Sequence, residues 1–231
     1  MTQKLKLSKE TVAVLKNFNQ INQMIYFRKG NTISTISPTK TIIAKYDCPE
    51  TFKSDFGIYR LDKLLSVLSF FDDPEVVIGD KNLTIKDDNR SAKITFGDPS
   101  VLVYPKNSDI KLPSVNAEFD VTEGELNDIL KAASIMELPY VAFESDGKKL
   151  YLKALDYKNP SSDAYTIELA ENTDHDIGDG FTALFNITNL KLIPADYHVQ
   201  ISVGKNSIIA QFSNDKMAYW VAVEKDSNFG G

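Results

Sequence analysis

Four segments of this chain repeat one plan: a short amphipathic helix, then a hairpin with an apolar first strand, a polar turn and an alternating second strand. The hairpins read Ile25-Tyr26-Phe27 with Ile33 to Ile36, Val76-Val77-Ile78 with Leu83-Thr84-Ile85, Val141-Ala142-Phe143 with Leu150-Tyr151-Leu152, and Val199 to Val203 with Ile208 to Phe212. Their turns hold Lys29-Gly30-Asn31, Gly79-Asp80-Lys81-Asn82, Asp146-Gly147 and Gly204-Lys205-Asn206. Gly and Asn tolerate the positive φ that tight hairpin turns demand. Pro74, Pro139 and Pro194 precede three of the four hairpins, where proline stops a helix and lets an extended strand start.

Apolar spacing locates the helices. The first runs from about Ser8, its N-cap, to Gln20, with Val12, Leu15 and Phe18 in one stripe and Lys9 and Lys16 on the opposite face. The second covers Leu61 to Phe70, with Leu61, Leu64, Leu65 and Leu68 inward and Lys63 and Ser66 outward. The third starts at a capping box, Thr122 with Glu125. It turns Leu126, Ile129, Leu130 and Ala133 to the core and Asn127 and Lys131 away. A short fourth helix, Thr188 to Leu192, is closed by Pro194 and carries Lys191. Further strands are expected at Thr41 to Tyr46, Ala92 to Phe96, Ala164 to Leu169 and Ala218 to Val223. Tyr104 to Glu118 holds Pro105 and Pro113 and no helical period, and reads as a connector. The expectation is an α+β chain of two similar domains, 1–108 and 109–231, each of two helix-plus-antiparallel-strands units.

The 231 residues suit two such domains, each long enough to bury a core. Hydrophobic residues at 42% and charged residues at 25% are ordinary for a soluble globular protein. The single cysteine, Cys48, excludes an intrachain disulfide and suits a reducing compartment, as a filler thiol beside Pro49. Met1 to Ser8 alternates lysine with leucine and lacks an apolar signal core, and no stretch reaches the ~18 apolar residues of a membrane helix. These features read as a cytoplasmic protein with no membrane partner. The net charge of −6 argues against a conventional duplex-binding module, which is usually basic.

Enzyme chemistry finds no foothold. There is no phosphate-binding G-x-x-x-x-G-K-[ST] run, and His175 and His198 lack metal-ligand spacing. The run Asp174-His175-Asp176-Ile177-Gly178-Asp179-Gly180 hints at calcium but lacks the EF-hand order and its terminal glutamate, and reads as a solvated loop. No carboxylate pair is singled out, so the expectation is no catalysis, no cofactor and no metal.

The repeated plan resembles the sliding-clamp fold, and the match to the clamps of T-even-type bacteriophages rests on particular residues. These are Lys6-Leu7-Ser8-Lys9 leading to Leu15-Lys16-Asn17-Phe18 and Ile21-Asn22, Ile58-Tyr59-Arg60-Leu61 leading to Leu68-Ser69, and Tyr219-Trp220-Val221-Ala222-Val223-Glu224. The proliferating-cell nuclear antigen looks like a more distant relative in fold. The resemblance implies a closed ring, helices lining the hole and sheets outside, and the spacing of four helices per chain around a duplex makes that ring a homotrimer. That ring encircles duplex DNA without reading sequence, tethers a DNA polymerase and is loaded by a separate ATP-driven clamp loader. In T-even-type phages it implies a link to late transcription as well.

A ring holds DNA by topology, so a modest basic lining suffices and the outer surface can stay acidic. The candidate lining is Lys4, Lys6, Lys9 and Lys16, with Lys63, Lys131 and Lys191 one per later helix. Glu123, Glu125 and Asp128 thin that lining on the third helix, where cap and dipole explain them. By resemblance, Ile110, Leu112, Pro113 and Val115 are candidates for a pocket receiving short partner peptides, with plain interdomain packing as the alternative. The candidate subunit edges, also carried by resemblance, are Ser91, Lys93 and Phe96 on one side and Tyr165, Ile167 and Leu169 on the other. The competing class is a structural scaffold of repeated α+β domains, which has no need of basic helix faces. A monomeric single-strand binder would need aromatics interleaved with cations. Only Tyr26-Phe27-Arg28-Lys29 offers that, and alternating burial in a strand explains it better.

Overall fold

The computed structural model describes residues 2–107, 110–159, 161–169, 180–205 and 207–230, and the backbone of 174–175. The chain divides into two compact units, Met1–Ser108 and Asp109–Gly231.

Unit 1 runs β1 (Gln3–Leu5), α1 (Lys9–Ile21), β2 (Ile25–Phe27), β3 (Gly30–Ile36), β4 (Ile42–Phe52), β5 (Phe56–Ile58), α2 (Leu61–Leu68), β6 (Glu75–Ile78), β7 (Asn82–Lys86) and β8 (Ser91–Thr95). One antiparallel sheet has the order β1-β6-β7-β8. A second has the order β4-β3-β2-β5. Helix α1 packs on β3 and β4 and against α2. Its core face is Thr11, Val14, Leu15, Asn17, Phe18 and Ile21, so Val12, placed in the apolar stripe by sequence, lies at the margin and is half-buried. Phe27, Phe52, Phe56 and Phe96 form a ring cluster with centroids 4.6–5.8 Å apart. Each fully buried ring contributes roughly 1.5–3 kcal/mol over exposure.

Residues 97–106 form a strap over β2 and β5. Gly97 N–H donates to Gly57 O at 2.8 Å. Leu102 is buried in the notch left by Gly57, where an added Cβ would stand 2.2 Å from the Leu102 Cδ1. Tyr104 stacks on Tyr26 at 4.4 Å, and Arg28 Nη2 donates to Pro105 O at 2.7 Å. The Asn22 amide, just past α1, donates to both Ile36 O and Val103 O at 2.9 Å. The first part of the expected connector is thus fastened to unit 1.

Unit 2 runs β9 (Ala117–Val121), α3 (Glu123–Ile135), β10 (Tyr140–Ser145), β11 (Leu150–Leu155), β12 (Tyr165–Leu169), β13 (Asp174–His175), β14 (Phe181–Asn186), a 3₁₀ turn (Ile187–Asn189), β15 (Tyr197–Val203), β16 (Ile208–Ser213) and β17 (Met217–Ala222). Its sheets are β12-β11-β10-β14 and β13-β9-β15-β16-β17. Helix α3 carries the expected capping box and packs on β10, β11 and β12. Phe119, Phe143, Phe185 and Phe212 fill the core. Residues 224–228 lie along β14, through Glu224 N–H to Leu184 O at 2.8 Å and reciprocal bonds between Thr182 and Asn228.

The sequence expectation fails in two places here. The fourth helix, Thr188 to Leu192, is only a 3₁₀ turn, and Lys191 lies beyond it. The Asn186 side chain accepts from the Thr188 N–H, a local bond that competes with helix propagation, and Pro194 leaves no room to extend. The stretch from Asp174, read as a loop, begins as a two-residue strand paired to β9. The remainder of that reading, Asp176 to Asp179, lies outside the described residues. Asn206, read as part of a hairpin turn, lies outside them too.

On β15, His198 places Nδ1 2.8 Å from Asp120 Oδ1 and Nε2 2.5 Å from Glu118 Oε1. Two carboxylates, one on each ring nitrogen, call for an imidazolium. The Asp120 bond is the largest cause; burial opposes it, and Glu118 adds to it, so the ring is held above the usual histidine pKa. A raised folded pKa contributes stability that is complete below about 6.5 and is lost as pH rises through the folded value. The excess thermal stability of the parent over His198→Asn should therefore be largest near pH 6 and shrink towards pH 8, by a small amount because the groups are solvated. A pH-independent difference in parallel melts would show that the ring is not charged.

Candidate nucleic-acid interface

A bulge in β4 fixes the first turn of helix α1. Thr32 pairs with Asp47 and Gly30 with Phe52, so the register shifts and Cys48 to Thr51 bulge from the ladder. The buried Cys48 thiol donates to Asn31 O at 3.0 Å, and Gln3 Nε2 donates to Thr51 O at 2.6 Å. Burial pushes that thiol up to about 12, so it stays protonated. The bulge delivers Glu50 to the start of α1, where its carboxylate accepts from the Ser8 N–H and, at 2.6 Å, from Thr11 Oγ1. Burial alone would raise this carboxyl, but those bonds outweigh it and hold the pKa below the usual value. Ser8 Oγ accepts from Thr11 N–H at 3.1 Å, the expected N-cap.

With α1 so held, Lys9, Ala13, Lys16 and Gln20 form its exposed stripe. Lys63 on α2 and Lys131 on α3 are exposed in the same way. Among the described residues no ion pair or hydrogen bond engages the ammonium of Lys9, Lys16, Lys63 or Lys131. Lys4 and Lys6 differ. They lie on and after β1, and they pair with Glu75 at 3.5 Å and with Asp73 respectively. Lys191 is half-buried. Between α1 and the end of α2 runs a groove of about 650 Å³, lined by Leu7, Val12, Leu65 and Phe71 together with Lys9 and Lys16.

Two sheets end in unpaired strands. Strand β8 is the edge of β1-β6-β7-β8, and β12 is the edge of β12-β11-β10-β14. On β8, Ser91 and Lys93 are exposed, while Phe96, just beyond it, stacks on Phe56 at 5.0 Å. On β12, Tyr165 is 39% exposed and Ile167 half-buried, but Leu169 is only 3% exposed and packs into its own unit. Leu169 therefore leaves the candidate contact surface: 165, 167 and 169 share the inward face, and only its far end emerges. Sequence reasoning missed two neighbours of these edges. Phe70, after α2, and Ile135, at the end of α3, are each 71% exposed. Arg90 Nη1 donates to Phe70 O at 3.0 Å, which ties Phe70 to the residue before β8, and α3 packs on β12.

Ile110 and Leu112 are half-buried and Pro113 and Val115 exposed, on an irregular stretch. It is fastened by Asn116, whose N–H donates to Ile201 O and whose Oδ1 accepts from Val203 N–H, both at 2.8 Å. Among the described residues no cluster of His, Cys, Asp and Glu is arranged to hold a metal, and no helix is long and apolar enough to cross a membrane.

Residues 7–104 match the family of DNA polymerase processivity factors. The sliding clamp of Escherichia phage RB69 is 28% identical over 227 residues, covering 96% of this chain and 98% of that one. The sliding clamp of Enterobacteria phage T4 is likewise 28% identical over 227 residues, with the same coverage. Among solved structures, A. fulgidus PCNA superposes with a TM-score of 0.71 at 18% identity, covering 99% of this chain and 100% of that one. The matched region and the likeness over nearly the whole chain support one function, that of a DNA polymerase processivity factor of the sliding-clamp class. Within that class it is similar to the clamps of T4-like phages.

Proposed function

We propose that three copies of this chain close head-to-tail into a ring that encircles duplex DNA, with α1, α2 and α3 towards the hole. The observation that carries this reading is the set of lysines without a partner among the described residues, Lys9, Lys16, Lys63 and Lys131, on the outward helix faces of a chain whose net charge is −6. Phosphate contacts of this kind centre a duplex without reading it, and screening keeps each weak enough to slide. Lys4 and Lys6, already paired, and Lys191, off any helix, contribute less.

Helix spacing sets the copy number. Eight lining positions about 10 Å apart leave a bore near 15 Å, too narrow for a duplex, whereas twelve leave about 28 Å. Three chains supply twelve positions if the 3₁₀ turn stands in for the fourth helix. Three-fold closure requires a heterologous contact. The free edges β8 and β12 meet that requirement, with Ser91, Lys93 and Phe70 facing Tyr165, Ile167 and Ile135 of the next copy. The polymerase is tethered to this ring, and a separate ATP-driven loader opens and closes it. A link to phage late transcription belongs to the same reading. The test is synthesis by the cognate polymerase and loader on primed circular DNA. The chain should lengthen products per binding event, and unchanged product length would reject a clamp role.

The partner segment is a short peptide. The A. fulgidus neighbour in fold was solved with the C-terminal region of FEN-1 bound. Here the receiving residues are Ile110, Leu112, Pro113 and Val115, a half-buried apolar stretch held open by proline. Truncating Ile110 and Leu112 to alanine should weaken binding of the cognate polymerase's C-terminal peptide by about 1–2 kcal/mol per anchor, with native mass and melting temperature little changed. Equal affinity for parent and double variant in a peptide titration would move the site elsewhere.

A further inference from the structure

We infer that Glu50 is a positioning residue for DNA contact: its carboxylate, delivered by the β4 bulge, fixes the first turn of α1 and so aims Lys9 at the phosphate backbone. This rests on the reading that α1 faces DNA. The geometry is specific. Glu50 accepts from the Ser8 N–H and from Thr11 Oγ1, one oxygen to each. Ser8 is the cap, Lys9 is the first helical residue, and Thr11 is fully buried. The bulge itself is held at both ends, by the Cys48 thiol on Asn31 O and by Gln3 on Thr51 O and the Lys53 N–H. A four-residue departure from a strand weakens the ladder, and here it places one carboxylate against one helix N-terminus. An anion there also complements the helix dipole. Lys9 itself has no partner among the described residues, so its position comes from the turn that carries it.

Charge and position make opposite predictions for Glu50. Removing a negative charge close to a DNA-facing helix should tighten binding if only the field matters. Removing the anchor of the first turn should loosen it. The measurement is the affinity of the intact clamp for a short fluorescent duplex, by anisotropy over a salt series, for parent, Glu50→Ala, Glu50→Gln, Lys9→Ala and the Glu50→Ala/Lys9→Ala pair. Lys9→Ala should lower the slope of log affinity against log salt by about 0.9 for each of the three copies whose Lys9 meets a phosphate. Glu50→Ala should lower it by a similar amount and add little once Lys9 is gone. Glu50→Gln loses the same charge but keeps an oxygen for the Ser8 N–H and an amide that can donate to Thr11 Oγ1, so it should bind at least as well as the parent.

Tighter binding by Glu50→Ala, or losses that add fully in the pair, would overturn the inference while leaving the DNA-facing helix intact. Slopes unchanged in both Lys9→Ala and Lys16→Ala would overturn the reading of α1, and the inference with it. If Glu50→Ala does not fold, Thr11→Val removes the donor to one carboxylate oxygen at equal side-chain size, and a partial loss of slope is expected. A full parental slope in a folded Thr11→Val variant would count against the anchor.

Discussion

Replacing Phe70 and Ile135 with aspartate should turn the assembly into folded monomers. Both side chains are 71% exposed in the single chain, an unusual position for large apolar groups; Phe70 is tied to the residue before edge strand β8, and Ile135 ends the helix that packs on edge strand β12. In the proposed ring every contact carries one of each. Truncation of a central apolar anchor commonly weakens association by about 2 kcal/mol or more, and a buried carboxylate adds its own desolvation cost. Two such losses weaken each contact by at least about a thousandfold. Neither side chain belongs to a unit core, so circular dichroism and melting temperature should stay close to the parent. Light scattering across micromolar concentrations checks the mass. A double variant that remains trimeric would remove these residues, and the edges beside them, from the contact.

Reversing Lys9, Lys16 and Lys131 to glutamate should abolish processive synthesis at moderate salt while leaving the proposed trimer whole. Each change is worth two charges, so the chain moves from −6 to −12. All three ammonium groups lie on exposed helix faces without a partner among the described residues, so the fold loses nothing by the exchange. Single reversals should be mild, since each contact is screened, and the deficit should shrink as ionic strength rises. Product-length distributions over a salt series, beside native mass, decide it. A triple variant that supports synthesis as well as the parent would turn these helices away from DNA.

Much of this molecule is legible in its sequence because its strands alternate and its turns carry Gly and Asn. Strands β2 with β3, β6 with β7, β10 with β11 and β15 with β16 pair as the four expected hairpins. The caps at Ser8 and Thr122 are where side-chain chemistry demands them. Lys9, Lys16, Lys63 and Lys131 could be named because an exposed helical position follows from period alone. The fourth helix was misjudged because Leu190 and Leu192 are both buried at a spacing of two, an extended pattern that a short window confuses with a helical one. Leu169 enters the candidate edge by resemblance, which gives a strand but not where along it the inward face becomes covered. Glu50 left no local trace: its role depends on a register shift opposite Gly30 and on a helix some forty residues earlier in the chain. Phe70 and Ile135 were unreadable for a related reason. An apolar residue at a helix end looks like core until the neighbouring elements are in place.

The strap over unit 1 bears on how the protein is made. Strand β5 and its neighbour β2 are complete in a nascent chain of fewer than sixty residues, but what fastens over them is Leu102 in the Gly57 notch and Tyr104 on Tyr26. Until those residues leave the ribosome, the strand presents open backbone groups and bare apolar surface, a hazard for pairing with other chains. At a synthesis rate of about 5–20 residues per second, that exposure lasts several seconds. A side chain at position 57 would collide with Leu102 Cδ1 and force it to shift in its notch. The sequence of the strap, residues 97–106, is therefore constrained by the birth of the first domain as well as by its finished fold.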